Sequence, residues 1–219
     1  MDSKVAFDSV CAKVAERYAD KGWKYAKSKH WMTKKDKDFT FKVLFYTSWN
    51  NISDVNVTFY GSFAIYSTKT KRCFTALCSQ DCKPNGELDW NVASEDTWDK
   101  TVEEFTEWLD KMGMPMMDEC LNNLDEFVKR VAKEGFYPWK GYIVNMDFIL
   151  QFGTPELAEE AARKCYESEN ETVRAEFRES YESLMSGGDA ANEYGRFQML
   201  NPSDFRTIIE NKVKIDFGD

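Results

Sequence analysis

A chain of 219 residues with 42% hydrophobic and 15% aromatic side chains can build a packed core, which excludes intrinsic disorder. No apolar run approaches the roughly 20 residues a membrane span needs. The opening Met1-Asp2-Ser3-Lys4-Val5 has no basic stretch leading into an apolar one, so no secretory signal is expected. The formal net charge of −9 is unevenly spread: residues 1–93 hold 15 Lys/Arg against 10 Asp/Glu, and 94–219 hold 14 against 28, nets of about +5 and about −14.

In chain order, residues 4–20 read as an amphipathic helix, with Phe7, Val10, Cys11, Val14 and Tyr18 at helical spacing and Gly22 as the stop. The apolar period then shortens to two. Phe39, Phe41, Val43 and Phe45 alternate with Thr40, Lys42, Leu44 and Tyr46; Val55, Val57, Phe59, Phe63 and Ile65 alternate with Asn56, Thr58, Tyr60, Ser62 and Tyr66. Strands are therefore expected over 38–47 and 54–66, joined by a hairpin loop at 48–53, with a bulge or bend at Gly61. A strand near 23–32 and two more near 71–78 and 87–92 complete an antiparallel meander, with a turn at 81–86.

After Ser94 the helical period returns through Trp98, Val102, Phe105, Leu109 and Met112. Met112 to Met117 is expected to break that helix, with Pro115 in the first turn of the next, which runs to Gly135. Residues 136–153 are mixed. Two helices follow over 154–186, then a mobile loop over 187–202 and a short helix from Pro202. The pattern is α+β: an N-terminal helix, an antiparallel sheet of four to five strands over about 23–92, and a helical C-terminal half. A single domain over 1–219 is expected, with a possible subdivision into 1–136 and 137–219.

The candidates for chemistry are sparse. His30 is the only histidine, and with no nucleophile beside it reads as a surface strand residue. Cys73, Cys78 and Cys82 cluster, but only Cys78-x₃-Cys82 has a metal-ligand gap and the second pair is missing; they read as buried thiols. Cys11, Cys120 and Cys165 complete the set, all expected to be reduced in a cytoplasmic protein. Glu87 and Asp89 could share one strand face and hold Mg²⁺, yet Asn91 stands where a catalytic lysine would be expected. Phosphate-loop, dinucleotide, zinc-protease and nucleophile-elbow motifs are absent. No metal, no cofactor and no catalytic residue are expected.

Two charged patches remain. Glu156, Glu159, Glu160, Glu167, Glu176 and Glu179 crowd one helical pair, and such a surface can steer a basic protein partner. Lys24, Lys27, Lys29, Trp31, Lys34 and Lys35 interleave cations with aromatics, a composition suited to nucleic-acid backbones and stacked bases. Lysines on an edge strand also block sheet-to-sheet aggregation.

One stretch resembles a family. The first helix runs into Gly22-Trp23-Lys24, and a long strand ends Phe45-Tyr46-Thr47-Ser48-Trp49-Asn50. These resemble the glycine-aromatic-lysine turn and the strand end of the bacterial proteins grouped as domain of unknown function 4304, over residues 1–65. The resemblance implies an α+β fold in a bacterial or phage protein and assigns no catalytic residues. The expected function is a non-enzymatic binding protein of immunity or inhibitor type, its acidic helices meeting a basic toxin or host factor; the alternative is a nucleic-acid-binding protein or nuclease using residues 21–42.

Overall fold

Phe39, Phe41, Val43 and Phe45 leave their strand on one side and Thr40, Lys42, Leu44 and Tyr46 on the other, and this alternation places every layer built on it. The computed structural model describes residues 1–82, 89–188 and 203–218. These fall into two compact units, Met1–Asn122 and Asn123–Asp219.

In the first unit, α1 (Ser3–Glu16) starts on the Asp2 carboxylate, which accepts from the amides of Lys4 and Val5. The sheet follows as β1 (Lys24–Ala26), β2 (Trp31–Lys35), β3 (Phe39–Tyr46), β4 (Thr58–Ser67) and β5 (Cys73–Cys78), paired in that order, all antiparallel. A short β6 (Trp90–Asn91) pairs with the start of β4. Then come α2 (Trp98–Trp108) and α3 (Met114–Asn122). The helix-then-sheet-then-helices order is the α+β architecture the sequence implies.

One face of the sheet is the core. Met32, Phe39, Phe41, Val43, Phe45, Phe59, Phe63, Ile65 and Leu77 are buried there. Phe7 of α1 meets Phe59, and Phe105 of α2 packs on Phe45, Phe59 and Trp90 with ring centroids 5.9, 5.2 and 5.8 Å away. Each such ring contributes about 1.5–3 kcal/mol by leaving water. A Cβ at Gly61 would lie 2.7 Å from Phe105 Cζ, so glycine there makes room for the helix. The expected bend at Gly61 is absent: β4 runs through it opposite Phe45, and the register shift comes later, between Ile65 and Tyr66.

Three local expectations change. The strand near 23–32 is interrupted by a 3₁₀ turn over Lys27–Lys29, and His30 takes a left-handed conformation at φ 49° before β2 begins. Met112–Met117 does not break the helix; a π-helical turn over Leu109–Gly113 carries the chain from α2 into α3. The interruption falls instead at Asn123, whose φ of −141° and ψ of 41° are not helical. The expected loop at 187–202 lies, from 189 onward, outside the described residues, as do 83–88 of the expected turn and last strand.

The second unit is helical: α4 (Leu124–Glu134), α5 (Met146–Phe152), α6 (Pro155–Glu167), α7 (Glu171–Met185) and α8 (Ser203–Glu210). Phe127, Phe136, Phe148, Ile149, Ala161, Phe177, Phe205 and Ile208 are its core, with Phe177 and Phe205 stacked at 4.1 Å. The mixed stretch 136–153 contains α5, started by Asn145, whose side chain accepts from the Phe148 amide. Asp204 accepts from the Met146 amide at 2.7 Å, and burial pushes its carboxyl up to about 6. Among the described residues no helix is long and apolar enough to cross a membrane.

Candidate functional site

The second face of the sheet gathers a distinct set of residues. Cross-strand register sets Thr33 opposite Lys42, Lys35 opposite Thr40, and Thr40 in turn opposite Tyr66. Trp31, Thr33 and Lys35 of β2, Thr40 and Lys42 of β3, and Tyr66 of β4 therefore share this face. With Ser67 and Lys71 they line a recess of about 260 Å³.

The recess has aromatic walls and a cationic lining. The Lys42 ammonium lies 4.7 Å from the Trp31 ring centroid and 4.3 Å from that of Tyr66, and the Lys29 ammonium is 5.1 Å from Trp31. At one end two turns are tied together. Thr40 and Thr68 share a hydroxyl hydrogen bond of 2.9 Å, and the Thr68 amide donates to the Asp38 carbonyl at 2.8 Å. The Lys71 ammonium donates to the Thr68 carbonyl. Burial, and then Cys73 beside it, push the Tyr66 phenol up to about 12, so it stays neutral and able to donate a hydrogen bond at physiological pH.

Away from those turns the face continues through Leu44 opposite Ser62 to Tyr46 opposite Tyr60. The two tyrosine rings stack at 5.2 Å with 26° between planes. The β3–β4 hairpin then ends in a loop where Trp49 is 93% exposed.

Comparison with protein-family models, curated proteins and solved structures finds no match for this chain. What the face can do follows from its side chains. It offers ammonium groups, hydroxyl donors and flat apolar rings in one recess, a set that suits an anion with planar groups.

The expected basic set divides. Lys35 and Trp31 line the recess, Lys29 reaches Trp31, and Lys24 lies exposed on β1 opposite Thr33. Lys27 is exposed in the 3₁₀ turn. Lys34 falls on the opposite face, where its ammonium donates to the Lys21 carbonyl at 3.0 Å, because alternation separates it from Thr33 and Lys35. Sequence reasoning missed Thr33, Thr40, Tyr66, Ser67 and Lys71. The polar phase of the alternation contained Thr40 and Tyr66, but only register across four strands brings them to Trp31.

His30 is not a free surface residue. Its Nε2–H donates to Asp8 Oδ1 at 2.9 Å, Lys4 Nζ donates to the other oxygen at 2.5 Å, and Phe7 meets the imidazole edge-on at 5.0 Å. Burial opposes ionisation of Asp8, but the bonds from Lys4 and His30 outweigh it and hold the carboxyl below its ordinary range. The pair ties α1 to the turn before β2. Cys73 is exposed and Cys78 half-buried, correcting the expectation of buried thiols; the Cys82 side chain lies outside the described residues. Cys11 is buried, and burial raises its thiol pKa, which leaves it unreactive.

Glu87 lies outside the described residues. Asn91 is structural: its side chain accepts from the Val57 amide at 3.0 Å and donates to the Val55 carbonyl at 2.9 Å. Among the described residues no group of three or more His, Cys, Asp or Glu could hold a metal ion.

The acidic candidates sit on α6 and α7. Glu160 pairs with Lys164 at 3.7 Å and Glu167 with Arg163 at 2.6 Å, both one helical turn apart. Hydrogen bonds from Thr154 and its own amide hold Glu156 below the usual carboxylate range. Glu159, Glu176 and Glu179 are exposed, and Glu159 and Glu176 have no ion pair among the described residues. Pairs of this kind contribute about 0.2–0.5 kcal/mol each, the scale of a solvated helix face.

Proposed function

We propose that this protein is a non-enzymatic binding protein whose outer sheet face takes single-stranded nucleic acid. The observation that carries the reading is the recess itself: Trp31 and Tyr66 as flat walls, with Lys35, Lys42 and Lys71 and the hydroxyls of Thr33, Thr40 and Ser67 between and around them. A base stacks on an aromatic ring regardless of its identity, and its phosphates meet the lysines. A lone aromatic–lysine strand is ambiguous with edge protection; a concave site drawn from four segments is better suited to a ligand.

The test is fluorescence anisotropy with labelled oligothymidylate at low salt. Wild-type protein should bind with an affinity that falls as salt rises. The triple variant Lys35→Glu, Lys42→Glu, Lys71→Glu should lose at least about 100-fold, three charge reversals each removing a phosphate contact. Flat wild-type curves at low salt would end the proposal.

A second reading keeps α6 and α7 as the face for a basic protein, as in an immunity protein that neutralises a toxin. Its particular support is that Glu159 and Glu176 are exposed with no ion pair among the described residues. Glu159→Lys with Glu176→Lys should then abolish binding to a purified basic partner while the sheet variants leave it intact. A bacterial or phage origin and a cytoplasmic location, implied by the resemblance of residues 1–65 and by the sequence, belong to the same proposal.

A further inference from the structure

The Lys4–Asp8–His30 cluster is fully engaged in holding α1, and Asp204 is engaged in starting α5. The exposed Trp49 shares its hairpin loop with exposed Ile52 and Val55, and nothing in the structure shows what would cover them. The Tyr46–Tyr60 pair differs, because it continues the face that holds the recess.

We infer that the Tyr46–Tyr60 pair is a second base-stacking subsite, so that a single strand of about six nucleotides runs from the lysine-lined recess along β3 and β4 to these two rings. The inference rests on the recess being the nucleic-acid site and adds its length, its direction and a division of labour.

Direction comes from where the rings lie. At one end of the recess the β2–β3 turn holds Asp36, Lys37 and Asp38 and no aromatic side chain, whereas the far end of the same strands carries Tyr46 and Tyr60. Along β3 and β4 the same face continues away from that turn over Leu44 and Ser62, which are uncharged. That lane ends at Tyr46, which is 38% exposed, and at its partner Tyr60. The Ser62 hydroxyl is 3.3 Å from the Tyr46 hydroxyl and holds that ring in place.

Length comes from strand geometry. Thr40 and Tyr46 are six residues apart on β3, and at about 3.4 Å per residue the span is roughly 20 Å. A nucleic-acid strand advances about 3.4 Å per stacked nucleotide, so about six nucleotides cover it.

The division of labour comes from composition. Lys35, Lys42 and Lys71 line the recess, while the lane and the tyrosine pair contribute no cation, and Asp89 lies near enough to Tyr60 to oppose ionisation of its phenol, after burial and the neighbouring Cys78 and Tyr46. The recess therefore sets the salt dependence of binding, and the tyrosines add affinity that salt does not touch.

The experiment compares trithymidylate and hexathymidylate on the full chain, titrated across a range of salt, for wild type and for Tyr46→Ser with Tyr60→Ser. Hexathymidylate should bind wild type about 5- to 100-fold more tightly than trithymidylate, with the same slope of log affinity against log salt. The double variant should lose that gain, keep the trithymidylate affinity and keep the slope. Circular dichroism and the thermal midpoint check that the variant folds, and Tyr46→Ser alone, at the more exposed ring, repeats the test if the double variant does not. Equal affinity for the two lengths, with trithymidylate still bound, would overturn the second subsite and leave the recess standing. No binding of either length would overturn both. Competition by hexaglutamate as effective as by hexathymidylate would show charge without stacking and would also overturn both.

Discussion

On one face of the sheet Phe41, Val43, Phe45, Phe59 and Phe63 are buried beside α1 and α2. On the other, Lys42, Leu44, Tyr46, Tyr60 and Tyr66 interleave with them in the chain and are half-buried or exposed. Both faces are rich in aromatic rings, so aromatic content alone says nothing about which is core. What separates them is the company the rings keep. The inner rings touch one another and helix side chains, while the outer rings, besides the Tyr46–Tyr60 stack, meet ammonium groups and hydroxyls. The first arrangement stabilises the fold by leaving water, and the second keeps its rings half in water and available to a ligand.

If the faces are divided in this way, substitutions should sort cleanly between stability and binding. The largest effect is expected at Phe105, the helix ring that meets three aromatics of the inner face. Phe105→Ala should cost about 3–5 kcal/mol in urea unfolding, and Gly61→Ala, whose Cβ would enter the same ring at 2.7 Å from Cζ, about 1–3 kcal/mol. A loss below 1 kcal/mol at Phe105 would mean that the inner face is not the core described.

A change in the second unit supplies a control for the comparison. The Asp204 carboxyl is pushed from the ordinary 3.8 up to about 6 by burial. A raised acid binds more protons folded than unfolded, so its contribution to stability falls as pH rises between those values and the cost is complete above about 6. Asp204→Asn keeps an acceptor for the Met146 amide and should stabilise the second unit by about 1–2 kcal/mol at pH 7, with the gain vanishing below pH 4. Thermal unfolding from pH 4 to 8 reads both the sign and the window, and a gain that persists at pH 4 would contradict burial of the charge. Oligonucleotide affinity should not move.

The smallest effect on stability is expected where the effect on binding is large. Lys42→Ala should change unfolding free energy by no more than about 0.5 kcal/mol and lower the salt slope of oligothymidylate binding by about 0.7, the loss of one phosphate contact on a single strand. Destabilisation comparable to that of Phe105→Ala would show that the outer face, too, is structural.

The two faces were unequally legible in the sequence. Alternation over Phe39–Tyr46 and through β4 reads directly, because side-chain direction repeats every second residue whatever the neighbours are. The recess does not read directly. It needs β2, β3 and β4 in one register and a lysine from the turn after β4, and no local pattern specifies that. Lys34 shows the limit within a single strand: composition groups it with Lys35, and the pleat puts it on the other side. Residues 146–152 were missed as a helix because the segment is short and apolar on most sides, so no period shows. His30 was misplaced because its partner, Asp8, lies on another element.

The Lys42 ammonium already lies between Trp31 and Tyr66. If the recess takes planar ligands as proposed, a ring that enters it displaces this ammonium, and the protein competes with its own ligand. The handicap is about 0.5–1 kcal/mol, the scale of an exposed cation–ring contact. The evicted charge is left beside the newcomer, and a neutral guest cannot turn that to account, whereas a phosphate-bearing one can. A tenant built into the site in this way acts as a filter: it discounts affinity for every planar molecule and returns the discount only to those that bring a negative charge with them.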